Sequence, residues 1–156
     1  VDTNTLIMVG GNDWSSAERW IEQSDTLKFL KDPANNLAFE AHVYFDKDAS
    51  GTYKYSYEEE ECYPEKGIDR VKPFVEWIKQ NKFHGFIGEY GIPDNDPRWN
   101  ETLDLFLGYL QENGINGTYW AAGPWWDTYF MAITPKDGKD RPQMPIIEKY
   151  TSTLKK

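Results

Sequence analysis

The sequence predicts an α/β fold built from repeated strand–helix units. Short apolar runs alternate along the 156 residues with longer stretches whose apolar residues recur at helical spacing. The runs begin near residues 5, 37, 85 and 117, so the first and third intervals are close to the roughly 30 residues of one strand–helix unit. The predicted strands are Thr5–Val9, Leu37–Phe45, Gly85–Glu89 and Gly117–Ala121.

Four helices are predicted between and after these strands. A short helix is expected at Ser15–Gln23, and apolar residues recur three and four positions apart over 68–78 and 103–110. Pro97 suits the first turn of the latter helix, and Asn113-Gly114 is typical of a helix end. A closing helix is predicted at Ile146–Leu154. The long second interval holds an insertion, 46–65, at the carboxyl end of a strand, where functional loops usually lie.

The polarity of the second strand distinguishes two architectures for four parallel strands: a small open sheet with helices on both faces, or four consecutive units of an eight-stranded barrel. A strand buried on both faces of an open sheet is expected to be almost continuously apolar. Here one face carries Ala38, Glu40, His42 and Tyr44, and the other carries Phe39, Ala41, Val43 and Phe45. The alternation favours the barrel, with the polar face toward its interior.

Composition excludes several classes of function. The formal charge of −9 argues against nucleic acid or an anionic membrane surface as the main partner, because both need clustered Lys and Arg. One Cys excludes an internal disulfide, and two His with one Cys leave little material for a zinc site. No apolar run approaches the roughly 18 residues of a membrane span. The excess of seven Trp suits stacking on sugar rings or bases, or core packing.

Glu89 is the most distinctive candidate for chemistry. It ends a short apolar strand and stands in the segment Gly88-Glu89-Tyr90-Gly91, although Glu is depleted in strands. A carboxylate at a strand end either points into solvent or faces the mouth of a barrel, where catalytic residues gather. Position alone leaves both readings open.

Several motifs in chain order resemble glycoside hydrolase family 5, the cellulase family of retaining (β/α)8 barrels. Gly88-Glu89-Tyr90-Gly91, His42-Val43-Tyr44 and the run 118–126 look like its last three strand motifs. The stretch 39–46, continuing to Ser50-Gly51-Thr52, is similar to the sixth-strand region of its endoglucanase branch. Residues 9–15 resemble the end of the fifth strand, so the match covers essentially the whole chain.

The resemblance implies roles for individual residues. Glu89 falls on the catalytic nucleophile, and His42 and Tyr44 match the pair beside it, whose donors would hold the carboxylate. Without the family match, His42 would be a satisfied interior histidine and Tyr44 a barrel-filling ring. Glu40, two residues before His42 on the same face, is expected to be a deeper partner of His42.

A sugar-binding surface is also implied. Trp120 matches the tryptophan that forms the floor of the family's sugar site. Trp14, Trp125 and Trp126 lie in predicted loops after strands and would extend the stacking platform, although core packing is an alternative for the last two. Asn12, like Asp13, would reach sugar hydroxyls, and turn chemistry explains both residues equally well.

The family's acid/base residue belongs to an Asn-Glu-Pro motif at the end of the fourth strand, which this sequence lacks. The resemblance therefore implies that residues 1–156 form one partial catalytic domain, the C-terminal half-barrel with strands five to eight. We expect such a chain to be weakly active or inactive alone. Its open strand edges predict association with a complementary N-terminal half or with a second copy as a homodimer.

The resemblance further implies an extracellular β-glucan as the partner and no cofactor or metal. Two other functions remain open. One is a catalytically silent carbohydrate-binding half-barrel that uses its tryptophans. The other is a self-associating fragment without present activity.

Overall fold

The computed structural model describes residues 3–151, which form one four-stranded parallel sheet. The strands are β1 (Ile7–Gly10), β2 (Leu37–Tyr44), β3 (His84–Gly91) and β4 (Asn116–Tyr119). They pair in chain order, β1-β2-β3-β4, with every neighbouring pair parallel. The predicted α/β class and the four parallel strands are thus confirmed, and the unbroken order is that of successive units in a barrel.

Four α-helices and two short 3₁₀ helices, Asp25–Phe29 and Pro124–Trp126, accompany the sheet in the described residues. The α-helices are α1 (Trp20–Ser24), α2 (Lys66–Asn81), α3 (Arg98–Glu112) and α4 (Met144–Tyr150). Pro97 precedes α3 as its N-cap. The predicted stop, Asn113-Gly114, directly follows the last residue of the helix, and Gly114 has a φ of +66°, which suits glycine. Of the helices described between residues 3 and 151, none is long and apolar enough to cross a membrane.

The predicted helix at Ser15–Gln23 is wrong over its first half. Asp13, Trp14 and Ser15 have φ of 55°, 51° and 58°, so the chain turns with left-handed geometry before α1 begins at Trp20. Local bonds hold this turn, because the Gly11 N–H donates to Ser15 Oγ at 2.9 Å. The predicted closing helix is observed over Met144–Tyr150, and the last three of its predicted residues, 152–154, lie outside the described residues.

The two faces of β2 have the polarity that its sequence predicts. The apolar face is buried and packs on the helices, with Phe39 5.0 Å from the Trp77 ring and Phe45 5.2 Å from the Phe106 ring. The other face carries Glu40 and His42, whose side chains remain about one quarter exposed. The hydrophobic core therefore lies between the sheet and the helices, and the polar face is left for the site.

Candidate active site

The carboxyl ends of β2 and β3 bring the three predicted catalytic residues together. His42 and Glu89 are register partners across the two strands, next to a bulge that follows Ala41. Tyr44 lies on the same face of β2 as His42, and its hydroxyl donates to Glu89 Oε2 at 3.0 Å. His42 Nδ1 lies 3.7 Å from the same oxygen. Residues 42 and 89 are far apart in sequence, so parallel pairing creates this cluster.

The Tyr44 hydroxyl is a permanent donor to Glu89. Burial raises the pKa of Tyr44 far above its ordinary value, and the negative charge of Glu89 raises it further. The phenol therefore keeps its proton throughout the neutral range. A neutral hydroxyl fixed at this distance holds the carboxylate without cancelling its charge.

His42 is also held from beneath. Its Nε2 lies 2.6 Å from Glu40 Oε1, so Glu40 is the partner of His42 that the sequence predicts. The ring thus stands between two carboxylates, one at each nitrogen.

A polar turn after β2 supports Tyr44. The buried Asp46 carboxylate accepts bonds from the Ser50 hydroxyl and from three successive backbone N–H groups at positions 51–53. This brings Gly51, with φ of +73°, against the Tyr44 ring, where a Cβ would lie 2.9 Å from a ring carbon. Tyr53 accepts a bond from the Phe45 N–H and donates to the Gly91 carbonyl, so it ties the ends of β2 and β3 together.

Two further side chains, Arg70 and Tyr129, act on Tyr44 or Glu89 and were not predicted from the sequence. Arg70 on α2 is buried, donates to the backbone carbonyls of Tyr44 and Lys47, and pairs with Glu18 at 3.5 Å. Burial raises the pKa of Tyr129, and the nearby charge of Glu89 adds to the effect. No local pattern marks Arg70, because its role depends on how α2 packs. Tyr129 lies within an aromatic stretch that was a usable signal.

A cleft with a volume of about 390 Å³ opens beside Glu89. Trp14, His42, Tyr44 and Glu89 all line it, as predicted site residues, and Arg70 contributes to its wall. Three other lining carboxylates each have a charged or N–H partner: Asp13 pairs with Arg19, Glu18 with Arg70, and Asp48 with the Ser50 N–H. Glu89 accepts from the Tyr44 hydroxyl and has no cationic Lys or Arg partner among the described residues.

The remaining predicted binding residues lie outside the lining of this cleft. Asn12 serves the turn before α1, since its side-chain amide donates to the Gln23 carbonyl at 2.7 Å and its N–H donates to Ser24 Oγ. Trp120 follows β4 beside β3, where its N–H donates to the Tyr90 carbonyl at 2.8 Å. Asn12 therefore has a structural use that explains it without a ligand.

The seven tryptophans divide by exposure. Trp20, Trp77 and Trp99 are buried in the core. Trp120 and Trp126 are half-buried and pack edge to face at 5.1 Å, and Trp126 continues to Tyr129 at 5.0 Å. Trp14 and Trp125 are 86% and 92% exposed. Trp14 thus stands free at the rim of the cleft, and Trp120 belongs to an aromatic cluster that extends toward Tyr129.

Within residues 3–151, no three His, Cys, Asp or Glu side chains are grouped so that they could hold a metal ion. What the arrangement supplies is a carboxylate that is held by a phenol and flanked by an imidazole, with the exposed Trp14 indole at the rim of the cleft. Such a set suits a nucleophile acting on a neutral ligand.

Comparison with known proteins finds relatives in one enzyme family. The sequence profile of the cellulase family, glycosyl hydrolase family 5, matches residues 1–125. The chain is 37% identical over 153 residues to the probable endo-beta-1,4-glucanase B of Aspergillus kawachii, an alignment that covers 95% of this chain and 44% of that protein.

Solved structures of endoglucanases share the fold. Pseudomonas stutzeri endoglucanase Cel5A in complex with cellobiose superposes with a TM-score of 0.87 at 45% identity, over 96% of this chain and 45% of that one. XacCel5A in complex with cellopentaose superposes with a TM-score of 0.84 at 39% identity, over 94% of this chain and 49% of that one. The chain therefore spans less than half the length of the relatives it matches.

Proposed function

The chain belongs to the cellulase family, glycosyl hydrolase family 5, and on that premise we propose that it acts in the retaining hydrolysis of β-1,4-glucan with Glu89 as the nucleophile. The observation that carries the proposal is the cleft carboxylate of Glu89, held by the Tyr44 hydroxyl at 3.0 Å and flanked by His42 at 3.7 Å. The relatives named endo-beta-1,4-glucanase, and those solved with cello-oligosaccharides, supply the substrate class.

The chemistry proceeds in two displacements. Glu89 attacks the anomeric carbon and forms a glycosyl ester while the bond to the leaving oxygen breaks, and that oxygen takes a proton from a general acid. Water, deprotonated by the same group acting as a base, then hydrolyses the ester. The Tyr44 hydroxyl keeps Glu89 in one orientation for the attack, because burial preserves its proton.

Substrate recognition falls to the aromatic residues around the cleft. An indole face packs on the C–H groups of a glucosyl ring while its hydroxyls bond at the rim. We place one glucosyl unit on Trp120 and a second on the exposed face of Trp14, and the Trp126 ring supports Trp120 from one side. Trp125, 92% exposed, would extend the surface further.

The general acid is assigned to strands outside the described sheet. Within the cleft, the carboxylates other than Glu89 are engaged by Arg19, by Arg70 or by a backbone N–H. The described sheet has two outer strands, and the start of the outer strand β1 is apolar and exposed: Leu6, just before the strand, and Ile7 and Met8 within it are 54%, 46% and 43% exposed. An apolar edge of this kind is rarely left open to water. We therefore propose that the sheet is half of an eight-stranded barrel, completed by four further strands that carry the acid.

A complementation experiment tests the assembly. The chain is mixed with a half-barrel that carries the first four strands of a related endoglucanase. Hydrolysis of a soluble cellulose derivative is followed, and light scattering gives the molar mass of the complex. Activity that appears only in a one-to-one complex, and is lost in Glu89→Gln, supports both parts of the proposal. A stable homodimer that excludes the added half would replace the complementary partner with a second copy. Full activity of the isolated monomer would contradict the assignment of the acid to other strands.

A carbohydrate-binding role without catalysis is the second candidate. The observation that favours it is the exposure of Trp14 and Trp125 in a chain that spans less than half of its relatives. Titration with cellopentaose separates the two: binding that survives in Glu89→Gln, with no turnover in any complex, supports the binding role. Either role places the protein outside the cell, because a polymeric glucan does not enter it.

A further inference from the structure

Glu40 lies directly beneath the site, and the proposed reaction does not use it. Its Oε1 is 2.6 Å from His42 Nε2. A carboxylate accepts hydrogen bonds and does not donate them when ionised, so at this distance the proton belongs on Nε2. The other ring nitrogen, Nδ1, lies 3.7 Å from Glu89 Oε2, a separation beyond a hydrogen bond.

The strand beside Glu40 is shaped to admit its carboxylate. A Cβ on Gly88 would lie 1.6 Å from Glu40 Oε1 and 2.6 Å from its Cδ, so no other residue fits at position 88 while Glu40 keeps its place. Gly88 is not among the glycines with positive φ, which are at positions 51, 114, 123 and 138. Its lack of a side chain is therefore required by the carboxylate and not by the backbone.

We propose that Glu40 is a positioning residue that keeps a proton on His42 Nε2, so that Nδ1, which faces Glu89, is the nitrogen where the ring gains or loses its second proton. In the neutral ring, Nδ1 then presents a lone pair to Glu89. In the charged ring, it presents an N–H to the ionised carboxylate. The inference rests on the proposed role of Glu89, because it assigns His42 to follow the charge of that group.

The consequence for the reaction is local. While Glu89 is ionised, an N–H at Nδ1 is attracted to it across 3.7 Å. When Glu89 becomes an ester, its full negative charge is lost, and the attraction weakens. In the opposite tautomer, with the proton on Nδ1 alone, the Nε2 lone pair would face the Glu40 carboxylate, and two hydrogen-bond acceptors would repel each other. Glu40 thus sets which edge of His42 senses the nucleophile.

Nitrogen NMR of the histidine side chains tests the assignment without any glucan. The chain has two histidines, and His84, exposed at the start of β3, serves as an internal reference. Spectra are recorded between about pH 5 and about pH 8, the range over which an unperturbed histidine changes its charge. We expect His42 Nε2 to keep its proton throughout, while His84 shows a mixture of tautomers when neutral. Deprotonation of Nε2 in the wild-type chain would overturn the proposal.

Two variants, one on β2 and one on β3, disrupt the contact between Glu40 and His42. In Glu40→Gln the side-chain amide both donates and accepts, so the neutral His42 ring should shift toward the tautomer mixture of His84. Gly88→Ala displaces the Glu40 carboxylate by steric conflict and should produce the same shift. Unchanged His42 resonances in either folded variant would refute the positioning role. The wild-type spectrum alone can refute the proposal, so the test does not depend on whether a variant folds. The spectrum reports on the His42 tautomer without any glucan. A failure to hydrolyse glucan would therefore count against the proposed function and not against the role of Glu40.

Discussion

The Asp46 turn gives the sharpest stability prediction. Asp46 is 1% exposed, and its Oδ2 accepts from the Ser50 hydroxyl at 3.0 Å and from the N–H groups of Thr52 and Tyr53, while Oδ1 accepts from the Gly51 N–H at 3.0 Å. In Asp46→Asn, the single side-chain oxygen can keep the three bonds from the Ser50 hydroxyl and from the N–H groups of Thr52 and Tyr53. The new NH₂ group then faces the Gly51 N–H, so two donors meet and the Gly51 N–H loses its acceptor.

The cost follows from these bonds. One buried donor left unpaired costs about 1–3 kcal/mol, and each of the three retained bonds weakens by roughly half a kcal/mol when its acceptor loses charge. We expect Asp46→Asn to lower the free energy of unfolding by about 3 kcal/mol. Because the turn that the Asp46 carboxylate holds lies next to the Tyr44 ring, the variant should also loosen the hydroxyl that holds Glu89.

Asp48→Asn is the matched control. It removes the same charge from the same turn, but Asp48 is exposed and accepts a single N–H bond at 3.2 Å, which an Asn oxygen can also accept. We expect a change within about 0.5 kcal/mol. Urea unfolding followed by tryptophan fluorescence measures both variants against the wild-type chain. Equal stability losses in the two variants would refute the role assigned to Asp46.

Further predictions concern the tyrosines, a glycine and the exposed indole. Gly51→Ala should cost about 1–2 kcal/mol more than Gly138→Ala, because both have positive φ but only the first meets a ring, that of Tyr44; equal costs in unfolding experiments would contradict the contact. Burial raises the pKa of Tyr44 and Tyr53, so the unfolded chain loses these protons first, and stability should fall above about pH 10; tyrosinate absorbance that titrates fully near that pH in native protein would exclude this. Trp14→Ala should leave stability within about 0.5 kcal/mol and weaken cellopentaose binding by about tenfold; unchanged affinity would remove Trp14 from the binding surface.

The fold was predictable where sequence pattern and burial agree. The alternation in β2 follows directly from a strand with one face on the core: Phe39, Ala41 and Val43 are buried, and on the other face Glu40 and His42 remain partly exposed. Helix α3 begins and ends where Pro97 and Asn113-Gly114 predict, because proline fixes φ for a helix start and glycine accepts the positive φ that follows the helix end. Glu89 stood out as a candidate because a carboxylate is unusual at the end of a strand, and the predicted role of nucleophile came from the family resemblance.

The turn at 13–15 could not be predicted from local pattern. Left-handed φ is unfavourable for Asp, Trp and Ser, and here it is held by Ser15 with the Gly11 N–H, by Ser24 with the Asn12 N–H, and by the Asp13–Arg19 ion pair. Arg70 was invisible for the same reason: its partners at positions 44 and 47 are over twenty residues away along the chain. Contacts set by tertiary packing leave no short-range signal.

Covalent trapping is the most direct test of Glu89 as the nucleophile. A 2-deoxy-2-fluoro cellobioside with a strongly activated leaving group needs no acid to depart, so it reports on the nucleophile alone, and the fluorine slows hydrolysis of the ester. The prediction is that the half-barrel complex gains one fluorocellobiosyl group, that digestion places it on Glu89, and that Glu89→Gln gains none. A label on any other carboxylate, or an equal label in Glu89→Gln, would contradict it.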